Sequence, residues 1–440
     1  MKLRCALAIL VTLLPSVALA NGRPAATSTV IVDPHNPNRL WVGATFGALI
    51  SEDGGQSWRL VCEVPLGTAG VTIDPVYRIT DACVTLAGTQ AGLIYSRNNG
   101  CDWDHGGGSI NNTTSIIDVA VHPTNHSRVL IATNVSGQMN AVHLSNDGGI
   151  TYAVSNATTT GTAVFRNVKY AADGNHAYAL WWDGTTSHIF VSTDGGQSWT
   201  QTPYASGAES APVLIGADPR DPNKVYYYAR AGGLHHLHRS TDGGATFTEV
   251  TSDIATIFVG LFKSDGTLYL ATNTGIRKSP DGMTISPPAT ASEIPVTCLA
   301  LDGNTLYGCA ADSTDGFAIG KSSDDGANWT PLLHLNQNIM GPAVCGSSTQ
   351  VCTQCYSAWP TFAMQFGLPN TAQPMCMDPG AMTCNGSGGS GGSSGSGGSG
   401  GSSGGKGGGC SCSVGSVVPS FLGVLPLIGV AGILLRRRRK

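Results

Sequence analysis

A short turn motif recurs seven times along the 440-residue chain and restricts its possible folds more than any other feature. The last aromatic or apolar residues of successive copies lie 45, 49, 47, 48, 38 and 44 residues apart. A period of this length accommodates four strands of about 5–6 residues with their turns. The five clear copies are SEDGGQSW (51–58), SNDGGITY (145–152), STDGGQSW (192–199), STDGGATF (240–247) and SSDDGANW (322–329), and the two weaker ones are SRNNGCDW (96–103) and SPDGMTI (279–285).

A second turn, usually Asp-Pro or Asp-Gly, recurs in phase with the first. Both dipeptides favour turns, and each copy is flanked by strand-like runs. In the first repeat we predict strands A to D at about 28–33, 39–45, 48–51 and 57–61. The repeat therefore predicts an all-β, seven-bladed β-propeller of four-stranded blades over residues 27–332. A β-solenoid is the alternative, although its coils are normally shorter.

The motif Ser-x-Asp-x-Gly-x-x-Trp resembles the Asp-box, or BNR repeat, of sialidases, sortilin-type receptors, xyloglucan-cleaving hydrolases and a photosystem II assembly factor. This resemblance implies that the box is a folding element. Its carboxylate accepts backbone N–H bonds across its own hairpin, its glycines adopt positive φ, and its aromatic residue packs between blades. The structural residues so implied are Asp53, Asn98, Asp147, Asp194, Asp242, Asp281 and Asp324, with Trp58, Trp103, Trp199 and Trp329.

Both ends of the chain carry targeting features. Residues 1–20 combine a basic start, an apolar run and an Ala-Leu-Ala end, which predicts a secretory signal peptide rather than a membrane anchor. Residues 414–435 are uncharged and, at about 1.5 Å per residue, long enough for a transmembrane helix before the basic tail at 436–440. The body is therefore expected outside the inner membrane.

The segment 410–440 resembles the MYXO-CTERM sorting signal of myxobacteria, because a Gly-Cys-Ser-Cys sequence precedes the apolar span and the arginine cluster. The resemblance implies cleavage by a sorting protease at the membrane, with Cys410, or its neighbour Cys412, as the processed and lipidated residue. We therefore expect a lipoprotein anchored at the cell surface. A plain single-pass anchor is the alternative.

Between the repeats and this tail we predict a Cys-rich appendage at 333–384 and a Gly/Ser linker at 385–409. The exported body has ten cysteines, which favours up to five disulfides over a zinc or redox role for the Cys352-x-x-Cys355 pair. Cys298 and Cys309 flank the predicted A–B turn of blade seven, so they occupy opposed positions on antiparallel strands. We predict a Cys298–Cys309 bridge.

Charge and loop position restrict the possible partners. Without its two ends the chain has 17 basic and 28 acidic residues, a net charge of −11, which argues against a nucleic-acid partner. The B–C and D–A loops share one face of a propeller and vary in sequence, so we place the ligand there. The candidate residues on this face are Trp181, Trp182, Arg230 and Asp312, with His105, Asp183 and Asp315.

Catalytic motifs are weak. The sialidase resemblance requires three arginines and an Arg-Ile-Pro-type motif, and FRNV at 165–168 lacks the proline. His236 and His238 share a face of one strand but have no identifiable third ligand, so we predict neither a metal site nor a cofactor. We predict a non-enzymatic, surface-displayed binding or adhesion propeller with a glycan or protein ligand. The alternative is a secreted glycoside hydrolase, whose carboxylate pair sequence spacing cannot reveal.

Overall fold

Seven antiparallel sheets form a closed ring in the computed structural model, which describes residues 19–20, 23–81, 84–159, 161, 163–207, 210–288, 293–369 and 376. Each sheet is one blade, and its strands follow chain order from the inside outwards, with one exception in blade three. There the short strand Gly107–Gly108 comes first in the chain but pairs in parallel with the outermost strand. The innermost strands of successive blades contact one another, and the innermost strand of blade seven contacts that of blade one. The fold is therefore the predicted seven-bladed β-propeller.

Two short strands precede the blades, β1 (Leu19–Ala20) and β2 (Arg23–Pro24). Blade one comprises β3 (Thr27–Asp33), β4 (Asn36–Ala44), β5 (Gly47–Ser51) and β6 (Trp58–Cys62). Blade two comprises β7 (Val76–Asp81), β8 (Val84–Thr89), β9 (Gly92–Ser96) and β10 (Asp104–His105). Blade three comprises β11 (Gly107–Gly108), β12 (Ile116–Val121), β13 (Val129–Thr133), β14 (Ala141–Ser145) and β15 (Thr151–Thr158).

Blades four to seven follow the same order along the chain. Blade four comprises β16 (Val164–Tyr170), β17 (Ala177–Trp182), β18 (Thr186–Ser192) and β19 (Thr200–Gly207), and blade five comprises β20 (Ser210–Asp218), β21 (Asp221–Ala231), β22 (Leu234–Arg239) and β23 (Thr248–Ile254). Blade six comprises β24 (Ile257–Phe262), β25 (Leu268–Thr272) and β26 (Gly275–Ser279). Blade seven comprises β27 (Cys298–Asp302), β28 (Thr305–Cys309), β29 (Ile319–Ser322) and β30 (Thr330–Leu333), with the short helix α1 (Asp312–Asp315) between β28 and β29.

Blade six departs from the predicted four strands. Its sheet has only β24, β25 and β26 among the described residues. The chain after its box begins to pair, since Ser286 N donates to Lys278 O at 2.9 Å. Pro287 and Pro288 follow, and neither has the N–H group that a further ladder bond needs. The prediction of a fourth strand was wrong here because the prolines end the pairing.

Blade one gains a fifth strand from the Cys-rich segment. Strand β31 (Ile339–Pro342) pairs in parallel with β6, so residues from both sides of the repeat array build one sheet. A π-helical turn (Val351–Cys355) and helix α2 (Tyr356–Phe366) follow, and Trp359 and Phe366 are buried in the same core cluster as Trp58. The segment predicted as an appendage thus packs directly against blade one.

Four disulfides lie among the described residues. Cys62–Cys355 and Cys101–Cys345 tie the Cys-rich segment to blades one and two, and Cys352 bonds to Cys376. Cys298 and Cys309 form the predicted bridge across the β27–β28 hairpin, with Cα atoms 4.9 Å apart. The Cys352-x-x-Cys355 pair is therefore divided between two different bridges.

The described part of the chain has no helix that is both long and apolar enough to cross a membrane. The signal sequence up to residue 18, the linker and the sorting signal with Cys410 and Cys412 lie outside the described residues. The transmembrane and lipidation expectations therefore stay predictions.

Candidate functional site

The box aspartates serve the turn itself. Asp194 Oδ1 accepts hydrogen bonds from the backbone N–H groups of Gln197 and Ser198, both at 2.9 Å, and from the Ser192 hydroxyl at 2.7 Å. Burial alone would raise the pKa of Asp194, but the hydrogen bonds from Ser198, Ser192 and Gln197 lower it to about 2. Trp199 is buried and its Nε1 donates to Gly196 O at 3.1 Å. The contacts of the box are thus those of a folding element.

The other boxes repeat this pattern, with one informative exception. The carboxylates that accept turn N–H groups in the same way are those of Asp53, Asp147, Asp242, Asp281 and Asp324. In blade two the position is Asn98, whose Oδ1 accepts from Asp102 N at 2.8 Å and whose Nδ2 donates to Asp102 Oδ2 at 2.8 Å. The negative charge has therefore moved four residues along the same turn.

The second glycine of the box is also an inter-blade contact. Gly196 has φ +87°, and a Cβ there would lie 2.6 Å from Leu130 Cδ2 of blade three. Gly149 meets Leu86 of blade two in the same way, at 2.6 Å. These glycines are required both by the turn and by the close approach of the preceding blade.

The B–C and D–A connections define one side of the propeller, which we call the loop face; the opposite side, with the A–B turns and the boxes, is the turn face. Trp181 and Trp182 end strand β17 at the loop face, Arg230 lies near the end of β21, and Asp312 opens α1. The four predicted ligand-face residues thus share the expected side but belong to blades four, five and seven. Trp181 and Trp182 are neighbours in one strand, whereas Arg230 and Asp312 lie in two other blades.

Blade four carries a compact polar and aromatic group. Trp181 is mostly buried and stacks on the His188 ring, with centroids 4.1 Å apart. His188 Nε2 lies 3.2 Å from Asp183 Oδ2, while Asp183 Oδ1 accepts the N–H groups of Thr185 and Thr186. These bonds, the one from Thr185 N foremost, hold the pKa of Asp183 well below its usual range. Asp183 is therefore an ionised carboxylate beside a half-buried Trp182.

Two other predicted positions have local structural roles. Asp312 Oδ1 lies 2.9 Å from His334 Nδ1, and Asp312 Oδ2 accepts from Leu335 N at 2.8 Å. Asp315 Oδ2 accepts from Ala311 N at 2.9 Å, which closes the single turn of α1. His105 is an exposed residue of the edge strand β10.

A cavity of about 260 Å³ opens at the loop face between blades two, three and four, and sequence reasoning missed it. We call it the loop-face cavity. Asp74, Gln90, Asn134 and Arg166 line it together with Ser115, Ser136 and an apolar floor that includes Ile116. These residues come from five separate stretches of chain, and the sequence analysis had considered only the FRNV segment, with Arg166.

A larger cavity of about 580 Å³ occupies the mouth of the central channel at the turn face. Below it the fully buried Asp118 accepts bonds from Arg78 Nη2 at 3.2 Å and Lys169 Nζ at 2.9 Å. Burial would raise the pKa of Asp118, but Lys169 and Arg78 lower it. The innermost strands of blades two, three and four are thus joined by an ionised network, whose members sequence reasoning did not single out.

The two histidines of the blade-five pair have separate partners. His236 Nδ1 lies 2.7 Å from Glu249 Oε2, and His238 stacks on Tyr227. Within the described ranges, no group of three or more His, Cys, Asp or Glu side chains is arranged to hold a metal ion.

The fold and its boxes define the chain as an Asp-box β-propeller. A family model described as the BNR/Asp-box repeat matches residues 190–201, which contain the box of blade four. A xyloglucanase from a Paenibacillus species is 26% identical over 249 residues, which cover 54% of this chain and 22% of the relative.

A second xyloglucanase, from Hypocrea jecorina, is 38% identical over 93 residues, which cover 20% of this chain and 11% of the relative. A solved GH74 enzyme from Niastella koreensis is 17% identical with a TM-score of 0.46, over 69% of this chain and 58% of that one. The chain thus matches less than a quarter of the length of these two curated relatives.

These sequence relatives contradict the predicted non-enzymatic binding or adhesion propeller. Both are enzymes named for cleavage of xyloglucan, so they favour the alternative of a glycoside hydrolase. The missing catalytic motif misled the sequence analysis, because a carboxylate pair is brought together by folding and leaves no spacing signal in the chain.

Proposed function

We propose that this chain is a glycoside hydrolase that acts on a xyloglucan-type polysaccharide. The observation that carries the proposal is the 26% identity to a xyloglucanase over 249 residues. A stretch of that length spans about five of the chain's repeat periods, whereas a box occupies only eight residues of each. The similarity therefore extends well beyond the shared turn motif.

Hydrolysis of a glycosidic bond needs one carboxyl that donates a proton and one carboxylate that acts as base or nucleophile. Asp74, Asp183 and Asp312 are the loop-face carboxyls that we nominate. Asp74 Oδ1 lies 2.7 Å from Arg23 Nη2, so this carboxylate has a cationic partner. Asp183 and Asp312 each lie beside a histidine side chain. The lowered pKa of Asp183 keeps that carboxylate ionised, which suits the base or nucleophile.

The acid requires a carboxyl that keeps its proton. Burial raises a carboxyl pKa, and a glycan covering the loop face removes water from the carboxyls beneath it. We therefore assign the acid to a carboxyl that becomes buried only under substrate. Trp182, half-buried next to Asp183, offers an aromatic surface for the apolar face of a sugar ring.

The test is release of reducing ends by the purified full chain from xyloglucan, compared with cellulose and mixed-linkage β-glucan. We expect activity on xyloglucan. Of Asp74→Asn, Asp183→Asn and Asp312→Asn, any variant that removes a catalytic carboxyl should lose about 100-fold or more of this activity. Asp253→Asn is the matched control, because that side chain is 72% exposed on the outer strand β23. A folded chain that cleaves none of the three glucans would contradict the proposal.

A further inference from the structure

The loop-face cavity contains a guanidinium group with no carboxylate beside it. Arg166 lies on the innermost strand of blade four, and its Nε donates to Pro212 O at 3.5 Å. Among the described residues no carboxylate lies within ion-pair distance of Arg166, although most arginines and lysines of the channel and turn face have one. Burial disfavours its charged form and lowers the pKa of Arg166, with Tyr228 acting in the opposite direction.

A half-buried guanidinium that remains charged is stabilised by an anionic partner, which replaces part of its lost hydration. The planar fork of an arginine matches a carboxylate, with two parallel N–H bonds. The cavity lies at the loop face, and Arg166 is one of its lining residues. The missing partner is therefore best supplied by a ligand.

The rest of the cavity wall fits the polar groups of a sugar. Gln90 and Asn134 present amide groups, and Ser136 presents a hydroxyl; in the described part of the chain no side-chain bond engages these three. Ile116 and Val76 supply an apolar floor. The one carboxylate on the wall, Asp74, is held by Arg23 at 2.7 Å, so the local charge of that pair is balanced.

We propose that the loop-face cavity binds the carboxylate of a uronic acid, with Arg166 as its anchor and Gln90, Asn134 and Ser136 as partners of the ring hydroxyls. This inference rests on the proposed function, since it gives the glycan substrate an acidic side residue or terminal residue. Arg166 is a specificity residue rather than a catalytic one, because it holds the uronate and takes no part in proton transfer at the glycosidic bond.

The test measures binding without turnover. The full chain is titrated, by ligand-detected NMR, with glucuronic acid and galacturonic acid and with their neutral counterparts glucose and galactose. We expect a uronate to bind about tenfold or more tightly than its neutral counterpart, because the neutral sugar leaves the guanidinium without a partner. Equal binding of acidic and neutral sugars would overturn the proposal.

Three variants assign the preference to Arg166. Arg166→Gln should remove the preference for uronates, and Arg166→Lys should keep part of it, because lysine retains the charge without the fork. Arg97→Gln, at an exposed position of the turn face, is the matched control and should change nothing. Circular dichroism monitors folding, and Arg166→Lys keeps the test decisive if the glutamine variant fails to fold.

Further outcomes distinguish a uronate site from a general carboxylate site, and uronate binding from hydrolase activity. A blocked dipeptide with a free C-terminal carboxylate that binds more tightly than either uronate would overturn the sugar assignment. Uronate binding with no cleavage of any glucan would leave this site standing and contradict only the proposed hydrolase. Cleavage of neutral xyloglucan without a preference for uronates would support the proposed hydrolase and contradict only the uronate site.

Discussion

The box aspartate shows how one side chain fixes a turn. Its carboxylate accepts hydrogen bonds from residues further along the same hairpin, and blade two keeps this bonding with Asn98 as the acceptor and the charge on Asp102. This part of the fold was predictable from sequence, because donor and acceptor lie within one hairpin. The role of Arg166 was not, because its cavity joins residues that are distant in sequence.

The arrangement in blade two therefore predicts that the negative charge of the blade-four box can be moved from residue 194 to residue 198. Ser198→Asp alone places a second carboxylate against Asp194 and should destabilise the fold. Adding Asp194→Asn should recover stability by recreating the arrangement of blade two, with a coupling energy of about 1–3 kcal/mol in a double-mutant cycle. Urea denaturation of the four proteins at pH 7 measures it. Additive effects of the two changes would contradict this account of the box.

The same bonds predict a dependence on pH. The folded-state pKa of Asp194 is lowered from 3.8 to about 2, so its contribution to stability is present above pH 3.8 and is lost as the pH falls towards 2. The variant Asp194→Asn lacks this carboxylate, so it should lose less stability over the same window. Denaturation midpoints of both proteins at pH 5, 3 and 2 make the comparison.

At the scale of elements, blades are joined by tight contacts as well as by the hydrophobic core. The first-repeat strands predicted at 28–33, 39–45, 48–51 and 57–61 agree closely with β3 to β6, because alternating apolar runs and turn residues are local signals. The contact of Gly196 with Leu130 in the neighbouring blade was beyond such signals. The turn motif alone explains only the positive φ of this glycine.

A pair of glycine variants separates these two reasons. Gly196→Ala introduces both strain at positive φ and a clash with Leu130, whereas Gly137→Ala introduces strain alone, because no atom lies within 4 Å of its added Cβ. We expect Gly196→Ala to cost about 1–3 kcal/mol of unfolding free energy more than Gly137→Ala. Guanidinium denaturation measures both. Equal losses would mean that the blades separate enough to accept the methyl group.

At the scale of the whole molecule, the ring is held closed by β31 and by two disulfides from the same segment. Cys62–Cys355 and Cys101–Cys345 span 293 and 244 residues, whereas Cys298–Cys309 spans 11. Only the short bridge was predictable, because its cysteines face each other across one hairpin. The pairing of the long bridges depends on ring closure, which brings the end of the repeat array back to its beginning.

The two long bridges should act cooperatively. Either one alone keeps the unfolded chain in a large loop, so removing one bridge leaves much of the constraint in place. We expect the variant lacking Cys62, Cys101, Cys345 and Cys355 to lose more unfolding free energy than the two single-bridge losses added together. Serine variants compared by thermal and urea denaturation test this, and strictly additive losses would contradict it. Removal of Cys298–Cys309 should add independently.

The parallel pairing of β31 with β6 also sets an order of events during synthesis. A chain made from its N-terminus exposes the outer edge of β6 to solvent until residues 339–342 have been added, which takes on the order of ten seconds or more at typical rates of elongation. For that interval blade one presents an open edge, and open edges invite pairing with other chains. Blade one is therefore the blade that is completed last, and its outer strand loses its open edge only when β31 pairs with it.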